Sequence, residues 1–189
     1  MKTETNRSNP LFTLWYKPGQ TLQGLIAAGK GAGAAMLIAF CFGLVLVWPR
    51  YATLSAAGPG LLLLGGSAAL AGLFLFSWLL RNFSRWFGAP TARLVELRTA
   101  LGWGLLPWTV LPGFLLLCIT TQGVDASRMF PFFFAGFLYG FVILLTVLST
   151  ALRLSMMQTF FCLILTSLVS IFPLTFLLQL LFGPTLPTP

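Results

Sequence analysis

Charge interrupts this chain so rarely that it divides into long apolar blocks, at about 31–48, 61–80, 101–120, 130–150 and 156–182. A helix rises about 1.5 Å per residue, so roughly 20 apolar residues are needed to cross about 30 Å of hydrocarbon. The blocks meet that length, and they run on where the apolar residues of a soluble amphipathic fold would come in periodic stripes. Only 7% of the 189 residues are charged, against about 25% in an ordinary globular domain. Such a chain cannot cover a water-facing surface. The sequence therefore predicts an all-α integral membrane protein, a single bundle of about five transmembrane helices spanning 31–182.

Between and before the blocks lie two segments of another kind. Residues 1–30 start polar and then mix aromatics with a cation and two prolines around Trp15, Lys17 and Pro18, which predicts an N-terminal arm in the headgroup region with a short interfacial helix. The stretch from Arg81 to Arg98 carries Arg81, Arg85, Arg93 and Arg98 interleaved with Phe83, Trp86 and Phe87. It is broken at Gly88-Ala89-Pro90 and reads as a basic interfacial segment between the second and third spans. Residues 183–189 form a short Pro-rich tail. A cleavable signal peptide ending near Ser55-Ala56-Ala57 is the alternative for the first block, whose long leading segment and long apolar core favour an uncleaved anchor.

The formal net charge of +8 invites a nucleic-acid reading, but the cations stand singly at block edges and form no basic face. With the N-terminus inside, nine of the 11 Lys and Arg fall on one side and only Arg50 and Arg128 on the other. This positive-inside asymmetry predicts a cytoplasmic N-terminus, a C-terminus on the opposite side, and contact of the basic residues with anionic headgroups.

No pattern points to catalysis. Gly24-Leu25-Ile26-Ala27-Ala28-Gly29-Lys30-Gly31 has the spacing of a P-loop but places Gly31 where a Ser or Thr hydroxyl must hold magnesium, and it neither follows a buried strand nor opens a soluble helix. There is no His, and Cys41, Cys118 and Cys162 each sit inside an apolar block without CxxC spacing, so neither a metal nor another cofactor is expected. The predicted spans hold hydroxyls such as Ser77, Thr159, Thr166 and Ser170 but no Asp, Glu, Lys, Arg or His, against the habit of ion-coupled carriers.

Small residues recur at helix-packing spacing, as Gly29 to Gly33, Gly136 to Gly140, and Gly66, Ala69 and Gly72. They predict close packing within the bundle or, alternatively, a homo-oligomer. Pro107 and Pro112 in the third span and Pro173 in the fifth are candidate hinges. Glu96, between Arg93 and Arg98, is either half of a local ion pair or a docking point for a partner, and Asp125 with Arg128 reads as a solvated loop pair.

Two stretches carry a resemblance. Pro10-Leu11-Phe12-Thr13-Leu14-Trp15-Tyr16-Lys17-Pro18-Gly19-Gln20-Thr21-Leu22 and Arg98-Thr99-Ala100-Leu101-Gly102-Trp103-Gly104-Leu105-Leu106-Pro107, with five spans and a cytoplasmic N-terminus, resemble bacterial members of the Yip family of small membrane proteins. The resemblance implies a non-enzymatic scaffold or accessory subunit of a membrane complex in a bacterial inner membrane, with a protein partner in the membrane or at its cytoplasmic face. It transfers no catalytic residue, and the chain lacks the long acidic cytosolic domain of eukaryotic members. A transporter or lipid-translocating protein using proline-kinked helices 3 and 5 is the competing expectation. The candidate partner or lipid interface is Trp15, Lys17, Arg81, Arg85, Arg93, Glu96 and Arg98, whereas transport would run along a path near Pro107 and Pro173.

Overall fold

Prolines set the first two helices. A residue before proline is pushed out of the α region, and proline itself is pre-shaped for the first helical position. Asn9 and Lys17 are accordingly non-helical, and α1 (Pro10–Tyr16) and α2 (Pro18–Ala27) each begin on a proline in this computed structural model, which describes residues 9–53, 58–89, 92–122 and 126–182. Lys2, Arg7, Ser55-Ala56-Ala57, Pro90, Asp125 and the tail lie outside the described residues, as do the side chains of Arg50 and Pro173. The helices that follow are α3 (Ala32–Thr53), α4 (Gly58–Ser84), α5 (Leu94–Gly104), α6 (Leu106–Gln122), α7 (Ala126–Leu152) and α8 (Met156–Phe182), with a short 3-10 turn, Arg85–Phe87, after α4.

Three turns at one end of the bundle close alike. After α2 the Lys30 amide donates to the Leu25 carbonyl and the Gly29 amide to Ile26; after the 3-10 turn Ala89 donates to Ser84 and Gly88 to Arg85. Both are Schellman closures, which need a left-handed residue, and Gly29 (φ 63°) and Gly88 (φ 76°) supply it. After α7 the Leu154 amide donates to Ser149 while Arg153 adopts φ 54°. Ser155 then caps α8 reciprocally with Gln158: the Gln158 amide donates to the Ser155 hydroxyl oxygen at 3.3 Å and the Ser155 amide donates to the Gln158 side-chain oxygen at 3.2 Å, the S-x-x-Q capping box. This short turn returns α8 beside α7.

Among the described residues, four stretches are long and apolar enough to cross a membrane, Ala32–Pro49, Pro59–Phe87, Leu94–Ile119 and Arg128–Leu152, and Met156–Phe172 is a shorter apolar helix. The third differs from the sequence expectation in two ways. It starts at Leu94, seven residues before Leu101, so Glu96 and Arg98 belong to its helix. It is also two helices, α5 and α6, meeting at Leu105. Pro107 has no amide to donate to the Trp103 carbonyl, and its ring crowds that turn; Pro112 lies within continuous α6. The helix of α8 continues through Pro173 without interruption.

Packing follows from where backbones can approach. α3 lies along α4, with Gly43 facing Gly65 and Ala69, and a Cβ on Gly65 would stand 2.5 Å from Val47 Cγ2. α5 is wedged among α3, α4 and α7, and there a Cβ on Gly102 would stand 2.5 Å from the Ala35 carbonyl oxygen. α8 closes on α4 and α7 through a row of small polar residues, Thr159, Cys162, Thr166 and Ser170. Their hydroxyls bond back to their own helix, and the Cys162 thiol donates to the Leu80 carbonyl at 3.7 Å.

Candidate functional site

The cations gather where α4 ends and α5 begins. Arg81 lies in the last turn of α4, Arg85 in the 3-10 turn, Arg93 at the N-cap of α5, and Glu96 and Arg98 in its first two turns. Arg85 and Arg93 are exposed, as is Trp86, at 75%, with its ring edge-on to Phe83 at 5.1 Å. Val95 beside them is also exposed. The α4–α5 turn thus presents an exposed aromatic side chain and two exposed guanidinium groups that pair with no described carboxylate, a combination suited to a headgroup layer or to an acidic partner.

Arg81 and Arg98 differ from these two. Each is half-buried, with a buried Nε that has no hydrogen-bond partner. The Arg98 Cζ stands 4.1 Å above the ring of Phe74 on α4. A cation over a ring is stabilised by about 0.5–2 kcal/mol, yet a guanidinium has five N–H donors. An Arg at the centre of a membrane helix costs about 2.5–3.5 kcal/mol on insertion scales. Arg98 is only four residues, about 6 Å, from the start of its span at Leu94, so the cost there is smaller. Glu96 forms neither a salt bridge nor a hydrogen bond with any described residue; at the first turn of α5 it instead complements the positive end of the helix dipole.

Trp15 and Lys17 belong elsewhere. α2 packs along α7 and α1 packs on α2, and Leu14 and Leu22 are completely buried. Trp15 stacks on Tyr139 at 6.1 Å, and the Tyr139 hydroxyl donates to the Trp15 carbonyl. Lys17 is exposed at the joint between the two helices. Trp15 is thus a docking contact of the arm inside the fold, and the spacing of the sequence held no sign of its partner 124 positions away.

Pro107 and Pro112 lie beside Gly136. Gly140 receives the Trp108 indole and Pro107, and Gly136 receives Leu111, so both glycines serve packing of α7 on α6 within the chain. Gly29, Gly33 and Gly72 meet nothing within 4 Å. Beside the Leu105 break, α3, α6 and α7 enclose an open cavity of about 530 Å³ lined by Phe42, Pro107, Trp108, Pro112, Gly136 and Phe137 among others. Trp108 stacks on Phe137 at 4.9 Å, and its indole N–H is buried without a partner. The sequence signalled this cavity only through its prolines and the Gly136–Gly140 pair.

Helices of this length and apolarity define an all-α integral membrane protein. No family model, curated protein or solved structure matches the chain.

Proposed function

We propose that this chain is a non-enzymatic scaffold or accessory subunit of a membrane complex, docking a protein partner through the α4–α5 turn. The observation that carries this reading is the exposure of Arg85, Trp86 and Arg93 together on one short turn, with no described carboxylate paired to either arginine. An aromatic flanked by arginines is the composition of protein contact hot spots. In this reading α8 is the fifth span, the N-terminus and the arginine-rich turn are cytoplasmic, and the membrane is a bacterial inner membrane. The charge asymmetry and the resemblance to the Yip family support these points.

The test is purification of the tagged chain from its native membrane in mild detergent, with mass spectrometry of what accompanies it. A stoichiometric protein lost on W86A, or on R85Q combined with R93Q, is expected. A chain that purifies alone under all conditions, or keeps its partner in those variants, sinks the reading. The cavity beside Leu105 favours a second reading, lipid or solute translocation along the kinked third span. Flux across liposomes that contain the purified chain, abolished by filling the cavity with Gly136→Leu, would displace the scaffold.

A further inference from the structure

The cavity among α3, α6 and α7 is a slot of defined depth. It is lined at helical spacing from Pro107 to Ile119 on α6, from Phe42 to Pro49 on α3, and from Met129 to Phe137 on α7. Polar residues stand just past the same end on all three helices: Arg50 follows Pro49, Thr120-Thr121-Gln122 follows Ile119, and Arg128 precedes Met129. That end of the slot therefore lies at the headgroup edge, on the side away from the α4–α5 turn. From there the lining runs about 10–18 Å inward at 1.5 Å per residue, close to half of the hydrocarbon thickness of about 30 Å and so to one leaflet.

Size and chemistry narrow the occupant. The cavity volume spread over that length gives a mean cross-section of about 30–50 Å², against about 80–110 Å² for an α-helix 10–12 Å across. A helix from a second copy or a partner is too wide to enter, whereas a methylene chain is not. Among the lining side chains the only N–H is the buried Trp108 indole, so water or a polar solute finds no set of partners there. We propose that the slot holds one acyl chain of a phospholipid from the leaflet at that end. The chain lies lengthwise along α6, its ester end between Ile119 and Met129 and its terminus near Pro107 and Gly136. Hydrocarbon is as apolar as the slot, so fit retains the chain: three helix faces replace its mobile neighbouring tails with fixed contacts. The proposal goes beyond the scaffold reading, rests only on the chain being membrane-embedded, and requires no translocation.

The experiment is photolabelling of the purified full chain in detergent by a small amount of phosphatidylcholine that carries a diazirine in one acyl chain, with the labelled residues read by peptide mass spectrometry. A diazirine at the chain terminus should label Pro107 to Leu111 and Gly136 to Phe137. One beside the ester should label Leu115 to Ile119 and Met129 to Phe130. Both should mark the slot in preference to Phe114 and Leu117, which are exposed on the outward side of the same helix. Leu115→Trp, which fills the slot, should reduce slot labelling to the level of that outward side, and Phe114→Trp should leave it unchanged. If melting shows that Leu115→Trp does not fold, Val45→Phe narrows the slot from α3 and carries the test. Equal labelling of slot and outward side, or slot labelling that persists in the filled variant, overturns the proposal. A slot left unlabelled in a chain that native mass spectrometry shows as a dimer overturns it in favour of a second copy. Arg85→Gln with Arg93→Gln should not change the labelling, and labelling needs no flux, so this inference and either functional reading can fail separately.

Discussion

The two ends of this bundle are built differently. At the end that carries the α4–α5 turn, α5 is inserted among α3, α4 and α7, and residues 99–104 are buried without exception. The fully covered leucines Leu14, Leu22, Leu80, Leu97, Leu148 and Leu152 all lie there. Toward the other end α7 shows exposed residues from Phe130 through Ala135, with Phe132 at 73%, and among the described side chains α6 has no buried residue after Pro107. In lipid an exposed Phe costs nothing, because hydrocarbon is as apolar as a protein core. Order at the packed end therefore comes from shape and hydrogen bonding, and the looser end is free to keep a cavity.

Substitutions can break this comparison. The largest contrast is between Leu148→Ala, which empties a fully enclosed position, and Phe132→Ala, which faces outward. The first should destabilise by about 2 kcal/mol, the low end of the soluble range because transfer from lipid contributes no hydrophobic term. The second should stay within about 0.5 kcal/mol. Thermal melts of the purified variants in one detergent compare them, and equal losses would mean that the two ends are alike.

Next come the glycines. Gly102→Ala should cost about 1–3 kcal/mol, since its Cβ meets the backbone of Ala35 2.5 Å away. Gly136→Ala, at the looser end, meets only the Leu111 Cδ1 at 2.7 Å, a side chain that can turn aside, and should cost about 0.5 kcal/mol or less in the same melts. A Gly136→Ala loss as large as that of Gly102→Ala would show α6 and α7 to be as tightly packed as α3 and α5.

Trp103→Phe sharpens the comparison from the polar side. It removes the indole bond to the Gly31 carbonyl, 3.1 Å, which holds the turn between α2 and α3. A loss of about 1 kcal/mol is expected, together with faster proteolysis near Gly29 to Gly31. Trp108→Phe, whose indole N–H has no partner, should change stability by less than this. The reverse order would reveal a contact to Trp108 that matters more than the Gly31 bond.

Much of the fold was legible because its causes are local. The break read at Gly88 is a turn closed on that glycine, and the arm read around Trp15 and Pro18 is helical; the Ser155–Gln158 cap is equally local but was not part of that reading. Apolar length alone placed helices of spanning length within a few residues of the blocks at 31–48 and 130–150, while the block at 61–80 stops seven residues short of Phe87. The third span was read short because a window of apolar residues stops at Arg98, whereas a helix end tolerates a cation whose long stem lies over a neighbouring ring. The site divided in the same manner. The arginines were visible as a group, but their separation into exposed Arg85 and Arg93 and half-buried Arg81 and Arg98 depends on which face α5 turns toward α4.

The sequence by itself determined that the chain is helical and membrane-embedded, because apolar length and scarce charge leave no other way to satisfy a backbone in lipid. Tertiary structure alone decided that the arm docks on α7, that Arg98 meets Phe74, and that Gly136 and Gly140 pack on α6. The reason is physical. Every apolar face is equally content against hydrocarbon, so the choice of neighbour rests on fit between side chains far apart in the chain, which no local pattern encodes.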